Sequence, residues 1–402
     1  MDREIEVRAL IKYQEINLDN CSHELQLLLK LLNDRNDTNE WLEEYYALID
    51  WQQFLKLVYF HKVYPAIYLR LSIEDSTLVP RKVIEQLHQL YIKNTFDMLS
   101  LSREMDEINT ELTKKNIRVI MLKGPSLCYQ LYGDLSSRTS NDLDILIPFQ
   151  ELEHTISILK SKGYQLEYEP PRKLKDWQKR NHHLEFIHKE KNCKVEIHWR
   201  LHPGPSKEPG FEELWTSRET VHITERPIYT LDEETLFYYL ITHGARHGWF
   251  RIRWLMDIMQ MLRHNPELGK HSLRAKEYQA FHLFQQTVHL LERTKLYTGP
   301  YSEEINKRSK MLSQKAFTFI EERIDFYHPP SKEWDKEGQK YLFEIKSWSQ
   351  KWNFLIRKFA ANSWDAEVLP LPPALHFLYI PLRPVLWLWR AVTKQKVSIR
   401  RL

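Results

Sequence analysis

Two carboxylates stand two residues apart in the segment DLDILI, and this spacing makes them candidates for shared chemistry. One apolar residue separates Asp142 from Asp144, and the period of two in a strand sends both side chains to the same face. The segment VEIHW repeats the pattern, with Glu196 and His198 on one side and apolar residues on the other. If the two strands are neighbours in a sheet, Glu196 joins the two aspartates.

Three clustered carboxylates repel one another unless a cation lies between them. Hard divalent cations such as Mg²⁺ or Mn²⁺ prefer oxygen ligands and supply that charge. In two-metal phosphoryl chemistry one ion activates an attacking hydroxyl and the other neutralises a triphosphate. We therefore predict that Asp142, Asp144 and Glu196 are both metal ligands and catalytic residues. The alternative is a polar strand edge with unrelated surface acids, because a short DxD motif also arises by chance.

The turn upstream of these acids has the composition of a phosphate site. The run IRVIML is apolar and β-branched, as in a buried strand, and it leads to Lys123, Gly124 and Pro125, a residue suited to the first turn of a helix. Exposed backbone N–H groups at a helix N-terminus attract phosphate, and Ser126 and Lys123 add further donors. The alternative for Lys123 is a solvated lysine at a strand end.

Further cationic and imidazole groups are candidates for ligand contacts. Arg138 precedes the acidic strand, where its guanidinium can bind a phosphate or brace the carboxylates. Five histidines occur near the VEIHW strand, of which only His198 shares the face of Glu196 by parity. His243 and His247 are four residues apart and share a helix face, but HGARH lacks the glutamate of the HExxH zinc motif.

The elements that must position these residues follow from local patterns. The first 123 residues contain no glycine and only two prolines, Pro65 and Pro80, and segments such as HELQLLLKLLNDR have helical periodicity. IRVIML, DLDILI and VEIHW predict strands, whereas QELEHTISILKSKG predicts a helix that ends near Gly163. Helical periodicity returns after Leu231. We therefore predict three domains: an N-terminal helical domain (1–105), an α/β core (106–230) and a C-terminal helical domain (231–402).

These motifs resemble the nucleotidyltransferase superfamily, and more narrowly a poorly characterised bacterial branch of it. The resemblance rests on Leu122-Lys123-Gly124, Arg138, Asp142-Leu143-Asp144, Val195-Glu196-Ile197-His198-Trp199 and a downstream helix with His243, His247, Trp254 and Asp257. It implies an α+β, polymerase-β-like core in which a small mixed sheet carries the acids, flanked by helical domains. It also implies that the helix with His243 and His247 faces the cleft, where the two imidazoles contact nucleotide or acceptor; the alternative is a structural histidine pair. Asp257 is expected to orient that helix.

Composition restricts the partners and the compartment. The net charge of +4 arises from 58 basic and 54 acidic residues, a near balance that argues against dedicated nucleic-acid binding. Cys21, Cys128 and Cys193 are scattered, which favours free thiols in a reducing cytoplasm. The N-terminus lacks the apolar core of a signal peptide. The apolar stretch 374–382 is too short to span a bilayer, and the basic stretch after it is expected either to pack on the catalytic domain or to lie on an anionic surface.

The expected activity is metal-dependent transfer of an NMP from an NTP to a hydroxyl, a phosphate or a protein or peptide side chain. One alternative is a transferase that uses a nucleotide sugar and moves a glycosyl or phosphosugar group in peptide or polysaccharide tailoring, since such enzymes also bind metal through DxD. A second is a non-catalytic interaction module. The sequence selects neither the acceptor nor ATP over other NTPs.

Overall fold

The scarcity of glycine and proline before residue 124 results in an almost entirely helical N-terminal region. In the computed structural model, these helices are α1 His23–Leu32, α2 Glu43–Ala47, α3 Trp51–Phe60, α4 Tyr64–Ile73 and α5 Arg81–Lys114. Ser22 and Asp50 cap α1 and α3, because each side-chain oxygen accepts a hydrogen bond from a backbone N–H of the first turn. The helix predicted from HELQLLLKLLNDR is confirmed.

The structure describes residues 15–33, 43–73, 78–174, 176–204, 206–297, 299, 301 and 303–392. Two segments lie outside these residues: the N-terminal segment, in which we expect no signal peptide, and the last part of the basic C-terminal stretch. Within the described residues, no helix is both long enough and apolar enough to cross a membrane.

One mixed sheet of seven strands forms within the described residues. The strands are β1 Ile120–Met121, β2 Asp142–Leu146, β3 Gln165–Leu166, β4 His183–His188, β5 Cys193–His198, β6 Glu219–Val221 and β7 Ile228–Thr230. Their order is β3-β4-β5-β2-β1-β7-β6. β2 runs parallel to β5, and β4 is antiparallel to β5 as the other half of a hairpin. The predicted strand IRVIML is shorter than expected, since only Ile120 and Met121 pair with β2.

The sheet has one apolar and one polar face in its central strands. Leu143 and Ile145 of β2, and Val195 and Ile197 of β5, are wholly buried. They form one core with the C-terminal part of α5 and with the helix α7 Leu152–Ser161. Burial of this face fixes the register, because a slip by one residue would turn every apolar side chain out of the core. The opposite side chains of the same strands are therefore held on a common polar face.

Further helices alternate with the strands along the sequence, and among the described residues helices alone continue from Glu233 to Val392. They are α6 Pro125–Tyr132, α8 Trp177–Arg180, α9 Phe211–Ser217, α10 Glu233–Arg246, α11 Ile252–His264, α12 Leu268–Glu277, α13 Phe281–Arg293, α14 Lys307–Glu321, α15 Lys332–Glu344, α16 Trp348–Phe359, α17 Ser363–Val368 and α18 Tyr379–Val392. α7 ends just before Gly163, whose φ of +90° breaks the helix as predicted. The α+β class with a mixed sheet and flanking helices is thus confirmed.

The chain forms two compact units, each assembled from separated segments. The first comprises Met1–Ser100, Cys128–Ser140 and Glu233–Ile345, and the second comprises Leu101–Leu127, Asn141–Asp232 and Lys346–Leu402. In the first unit α10 packs against α11, α12 and α13; the second contains the whole sheet. The three consecutive domains expected from the sequence stay a prediction.

The C-terminal helix α18 is held within the second unit by its arginines. Arg383 and Arg390 lie 2.6 and 3.0 Å from the carboxylate oxygens of Asp365, which is completely buried in α17. Trp387 and Trp389 of the same helix are exposed. Within the described residues Arg383 and Arg390 therefore face the protein, as do the buried Tyr379 and Leu386, whereas Trp387 and Trp389 face solvent.

Candidate active site

The polar face of the sheet brings acids and imidazoles from three neighbouring strands together. Asp144 of β2 lies opposite Glu196 of β5, and Glu196 lies opposite Glu185 of β4. His198 of β5 lies opposite His183 of β4. Directly opposed residues on antiparallel strands such as β4 and β5 have Cβ atoms about 4.5–5.5 Å apart, so their side chains meet. We predicted that Glu196 joins the aspartates if their two strands are neighbours in a sheet, and β2 does pair with β5.

Asp144 is the most deeply buried acid of this face, with 1% of its surface exposed. Its Oδ2 lies 2.7 Å from Lys123 Nζ, and its Oδ1 lies 3.4 Å from His198 Nε2. Burial raises the pKa of Asp144 and the Lys123 ammonium lowers it, and the net pKa lies below the ordinary value of an aspartate. Asp144 is therefore ionised at neutral pH. Asp142 lies on the same face, opposite Lys194.

Glu196 is surrounded by groups that favour its negative charge. Lys194 Nζ lies 3.1 Å from Oε1, and His198 Nε2 and His183 Nε2 lie 3.3 and 3.8 Å from Oε2. Burial raises the pKa of Glu196, but the hydrogen bond from His198 and the neighbouring cations keep it well below the ordinary value. Lys194 also contacts Glu185 at 2.9 Å, so one ammonium links two strands.

The turn before α6 lies against the acidic strand. Gly124 has a φ of +86°, and a Cβ built on it would lie 3.1 Å from the carbonyl oxygen of Asp142. Positive φ and this close approach both require glycine. Pro125 begins α6, as predicted. Ser126 is fully buried and its hydroxyl donates to the carbonyl oxygen of Lys123 at 3.2 Å, so its role as a phosphate ligand stays a prediction.

Arg138 lies in the first unit, where it forms a buried ion pair. Its Nε and Nη2 donate to the two carboxylate oxygens of Asp257 at 2.8 and 3.0 Å, and the two side chains are 2% and 1% exposed. Asp257 Oδ1 also accepts from the Tyr132 hydroxyl at 3.2 Å. This pair connects the segment before β2 to α11, in keeping with the orienting role expected for Asp257. Phosphate binding by Arg138 stays a prediction.

His243 and His247 also lie in the first unit, in an aromatic cluster. Their ring centroids are 4.4 Å apart, and His247 stacks on Trp254 at 5.1 Å. A ring nitrogen of His247 lies 3.0 Å from the Tyr327 hydroxyl. Within the part of the chain that the structure describes, these contacts suit a structural pair, and contact with a nucleotide stays a prediction.

The composition of the polar face fits a divalent cation. Its charged groups are the carboxylates of Asp142, Asp144, Glu185 and Glu196 and the ammonium groups of Lys123 and Lys194. These carboxylates outnumber the ammonium groups by two, and a divalent ion supplies the opposite charge. Burial lowers the pKa of His198, but contact with Asp144 and Glu196 outweighs burial and raises this pKa above the ordinary value of a histidine. Ligand atoms from Asp144, Glu196 and His198 lie within 4.8 Å of one another. Both oxygens of Asp144 are buried without a well-directed hydrogen bond from any described residue, although Lys123 and His198 contact them electrostatically. Asp142 occupies the next position on the face.

The sequence reasoning missed the contribution of β4. HLEFIH alternates polar and apolar residues as VEIHW does, and this signal would have predicted a strand. Its parity places His183 and Glu185 on one face, and the hairpin with β5 turns that face towards Glu196. Lys194 was missed as well, although it shares the parity of Glu196 and His198.

A mixed sheet with acids on neighbouring strands and a Lys-Gly turn before a helix is typical of nucleotidyltransferases. Residues 47–294 match the model of a family described as uncharacterised nucleotidyltransferase. Because the match extends over more than half of the chain, the protein belongs to this family, and the resemblance seen in the sequence motifs is confirmed.

Other comparisons add little to this assignment. The chain is 16% identical to an antigenic nucleotidyltransferase-like protein from Paracoccidioides brasiliensis, with a TM-score of 0.31; the match covers 50% of this chain and 94% of that one. At this TM-score the likeness bears on neither the fold nor the function. No curated protein matches the chain.

Proposed function

We propose that this protein is a divalent-metal-dependent nucleotidyltransferase that moves an NMP from ATP or another NTP to a hydroxyl, a phosphate or a protein or peptide side chain. The observation that carries the proposal is the register pair of Asp144 and Glu196, a buried and a partly buried acid on adjacent strands beside the Lys123–Gly124 turn. Family membership supports the reaction class. The three buried free thiols support a reducing compartment such as the cytoplasm.

Asp144 and Glu196, together with Asp142, would hold the Mg²⁺ or Mn²⁺. The bound ion would neutralise phosphate charge and lower the pKa of the acceptor hydroxyl. The chain's own groups prepare the site for it. Lys123 lowers the pKa of Asp144, and His198, with a smaller contribution from Lys194, lowers that of Glu196. Neither acid then needs to lose a proton before it binds a cation.

His198 is the positioning group between the two acids. Its Nε2 lies between Asp144 Oδ1 and Glu196 Oε2, at 3.4 and 3.3 Å. An imidazole nitrogen in contact with both carboxylates fixes their separation, which a metal site requires to within a fraction of an ångström. Backbone N–H groups at the start of α6 and the Lys123 ammonium would face the triphosphate.

Nucleotide binding tests the metal dependence. We expect the protein to bind NTP in the presence of Mg²⁺ or Mn²⁺ and to bind it at least about tenfold more weakly in EDTA, because the acids otherwise repel the triphosphate. Isothermal titration calorimetry measures both affinities. Equal affinities would contradict a metal bridge between the acids and the nucleotide.

Transfer is tested with NTP that carries ³²P at the α-phosphate, incubated with cell lysate as the source of acceptor. We expect labelled acceptor, because NMP transfer retains the α-phosphate. Glu196→Gln should lower the labelling rate about 100- to 1,000-fold, a loss of the size seen when one preorganised group that stabilises the transition state is removed. Glu190→Gln is the matched control, since Glu190 is exposed in the turn between β4 and β5. Label from a nucleotide sugar, and none from NTP, would instead support the glycosyl or phosphosugar alternative.

A further inference from the structure

Three imidazoles meet at the end of the polar face, at the start of the β4–β5 hairpin. His182 precedes β4, His183 begins it, and His198 ends β5. The ring centroids of His182 and His183 are 4.2 Å apart, those of His183 and His198 are 5.0 Å apart, and those of His182 and His198 are 5.4 Å apart. One nitrogen from each ring lies within 4.8 Å of the other two.

The spacing of the nitrogens matches that of ligands to a single ion. His183 Nδ1 lies 3.1 Å from His182 Nε2 and 3.3 Å from His182 Nδ1. Two Zn–N bonds of about 2.0–2.1 Å at the tetrahedral angle place their nitrogens about 3.3 Å apart. A hydrogen bond between two neutral imidazoles also gives such a distance, so the third ring and its surroundings decide the interpretation.

Carboxylates stand behind two of the three rings. His183 Nε2 lies 3.3 Å from Glu185 Oε1, which leaves Nδ1 as the nitrogen that faces His182. His198 Nε2 lies 3.3 Å from Glu196 Oε2 and 3.4 Å from Asp144 Oδ1, and both ring nitrogens of His198 are buried without a well-directed hydrogen bond from the described residues. A carboxylate at the outer nitrogen fixes the tautomer and the orientation of a metal-binding histidine.

We propose that His182, His183 and His198 form a binding site for one borderline divalent cation of the Zn²⁺ type, next to the carboxylate site and distinct from it in ligand chemistry. Imidazole nitrogens select Zn²⁺, Co²⁺ or Ni²⁺, whereas carboxylate oxygens suit Mg²⁺ and Mn²⁺. The two sites share His198 as their common boundary. The proposal does not rest on the nucleotidyltransferase reaction, because an imidazole site binds its ion without nucleotide.

The test is a Zn²⁺ titration of the full-length, metal-free protein in millimolar Mg²⁺, with a chromophoric chelator as competitor and no nucleotide. We expect one Zn²⁺ per chain. His182→Gln and His183→Gln should each weaken Zn²⁺ binding by about 100-fold or more, since loss of even an outer-shell partner costs 10–100-fold. His188→Gln is the matched control: His188 lies on β4 as well, but by parity on the opposite face of the sheet. It should leave the affinity unchanged.

The spectrum of the Co²⁺-loaded wild-type protein and its X-ray absorption give a second measurement that needs no variant. Imidazole scattering from three rings supports the proposal. Zn²⁺ affinity equal in all four proteins, displacement of Zn²⁺ by millimolar Mg²⁺, or a metal shell of oxygen alone would overturn it. If the wild-type protein binds Zn²⁺ as expected but does not bind NTP in Mg²⁺, the result contradicts the proposed function and leaves the imidazole site supported.

Discussion

The buried pair of Arg138 and Asp257 offers the sharpest test of what holds the first unit together. Asp257→Asn keeps the shape of the side chain and removes its charge, which leaves the guanidinium buried without a counter-charge. Breaking a buried ion pair by removal of one partner costs about 3–5 kcal/mol. A loss within this range is expected here, because the pair has two hydrogen bonds and both side chains are at most 2% exposed.

The assay is thermal unfolding followed by far-ultraviolet circular dichroism. For units of roughly 150–250 residues, 1 kcal/mol shifts the Tm by about 2–4 °C, so Asp257→Asn should lower the Tm by about 6–20 °C. Glu85→Gln is the matched control, because Glu85 pairs with Arg81 on α5 and the two side chains are 60% and 92% exposed. An exposed pair four residues apart contributes about 0.3–0.5 kcal/mol, so its Tm should fall by no more than about 2 °C.

Replacement of both partners separates the ion pair from simple loss of packing. The double variant Arg138→Met and Asp257→Leu should recover about half or more of the stability lost by Asp257→Asn, because no unpaired charge remains. Tyr132→Phe in the same background should recover more, since the Tyr132 hydroxyl loses its acceptor with Asp257. An unchanged Tm in Asp257→Asn would refute the structural role of the Arg138–Asp257 pair. Weaker NTP binding by an Arg138→Met protein of unchanged stability would then support the phosphate contact that the sequence predicts for Arg138.

Three further predictions concern the turn, the lysine and a buried histidine. Gly124→Ala should destabilise the protein by about 1–3 kcal/mol in urea unfolding, because alanine is strained at positive φ and its Cβ would lie too close to the Asp142 carbonyl oxygen. Gly210→Ala is the control, since the added Cβ meets nothing within 4 Å. Equal effects of the two substitutions would contradict the strain at Gly124. Lys123→Ala should weaken NTP binding more than NMP binding in calorimetry, as its proposed partner is the distal phosphate, whereas an equal loss would place it away from the phosphates. Burial lowers the pKa of His61 to about 3, so as the pH falls below about 6.5 the imidazole is protonated in the unfolded chain before it is protonated in the folded protein. The free energy of unfolding should therefore decrease by about 2–3 kcal/mol at pH 4.5. His61→Gln should flatten the dependence of the urea midpoint on pH, and an identical slope would show that His61 does not cause that dependence.

Local patterns in the sequence determined the elements and the parity of the acids. The alternation in DLDILI and VEIHW placed Asp142, Asp144 and Glu196 on matching faces, because the side-chain period of a strand is independent of its neighbours. The Gly124–Pro125 step predicted the helix start for the same reason, since φ preferences act within a residue or two. The motifs also identified the family.

Only the tertiary structure decided which faces meet. The parity of VEIHW holds whichever strand is its neighbour, and it is the sheet order that brings β4 beside β5 and with it His183 against His198. The partner of Arg138 was equally undetermined, because Asp257 is 119 residues away and a guanidinium binds any carboxylate that folding brings within reach. Contacts between distant segments depend on burial of the whole apolar face of the sheet, and no local period encodes that.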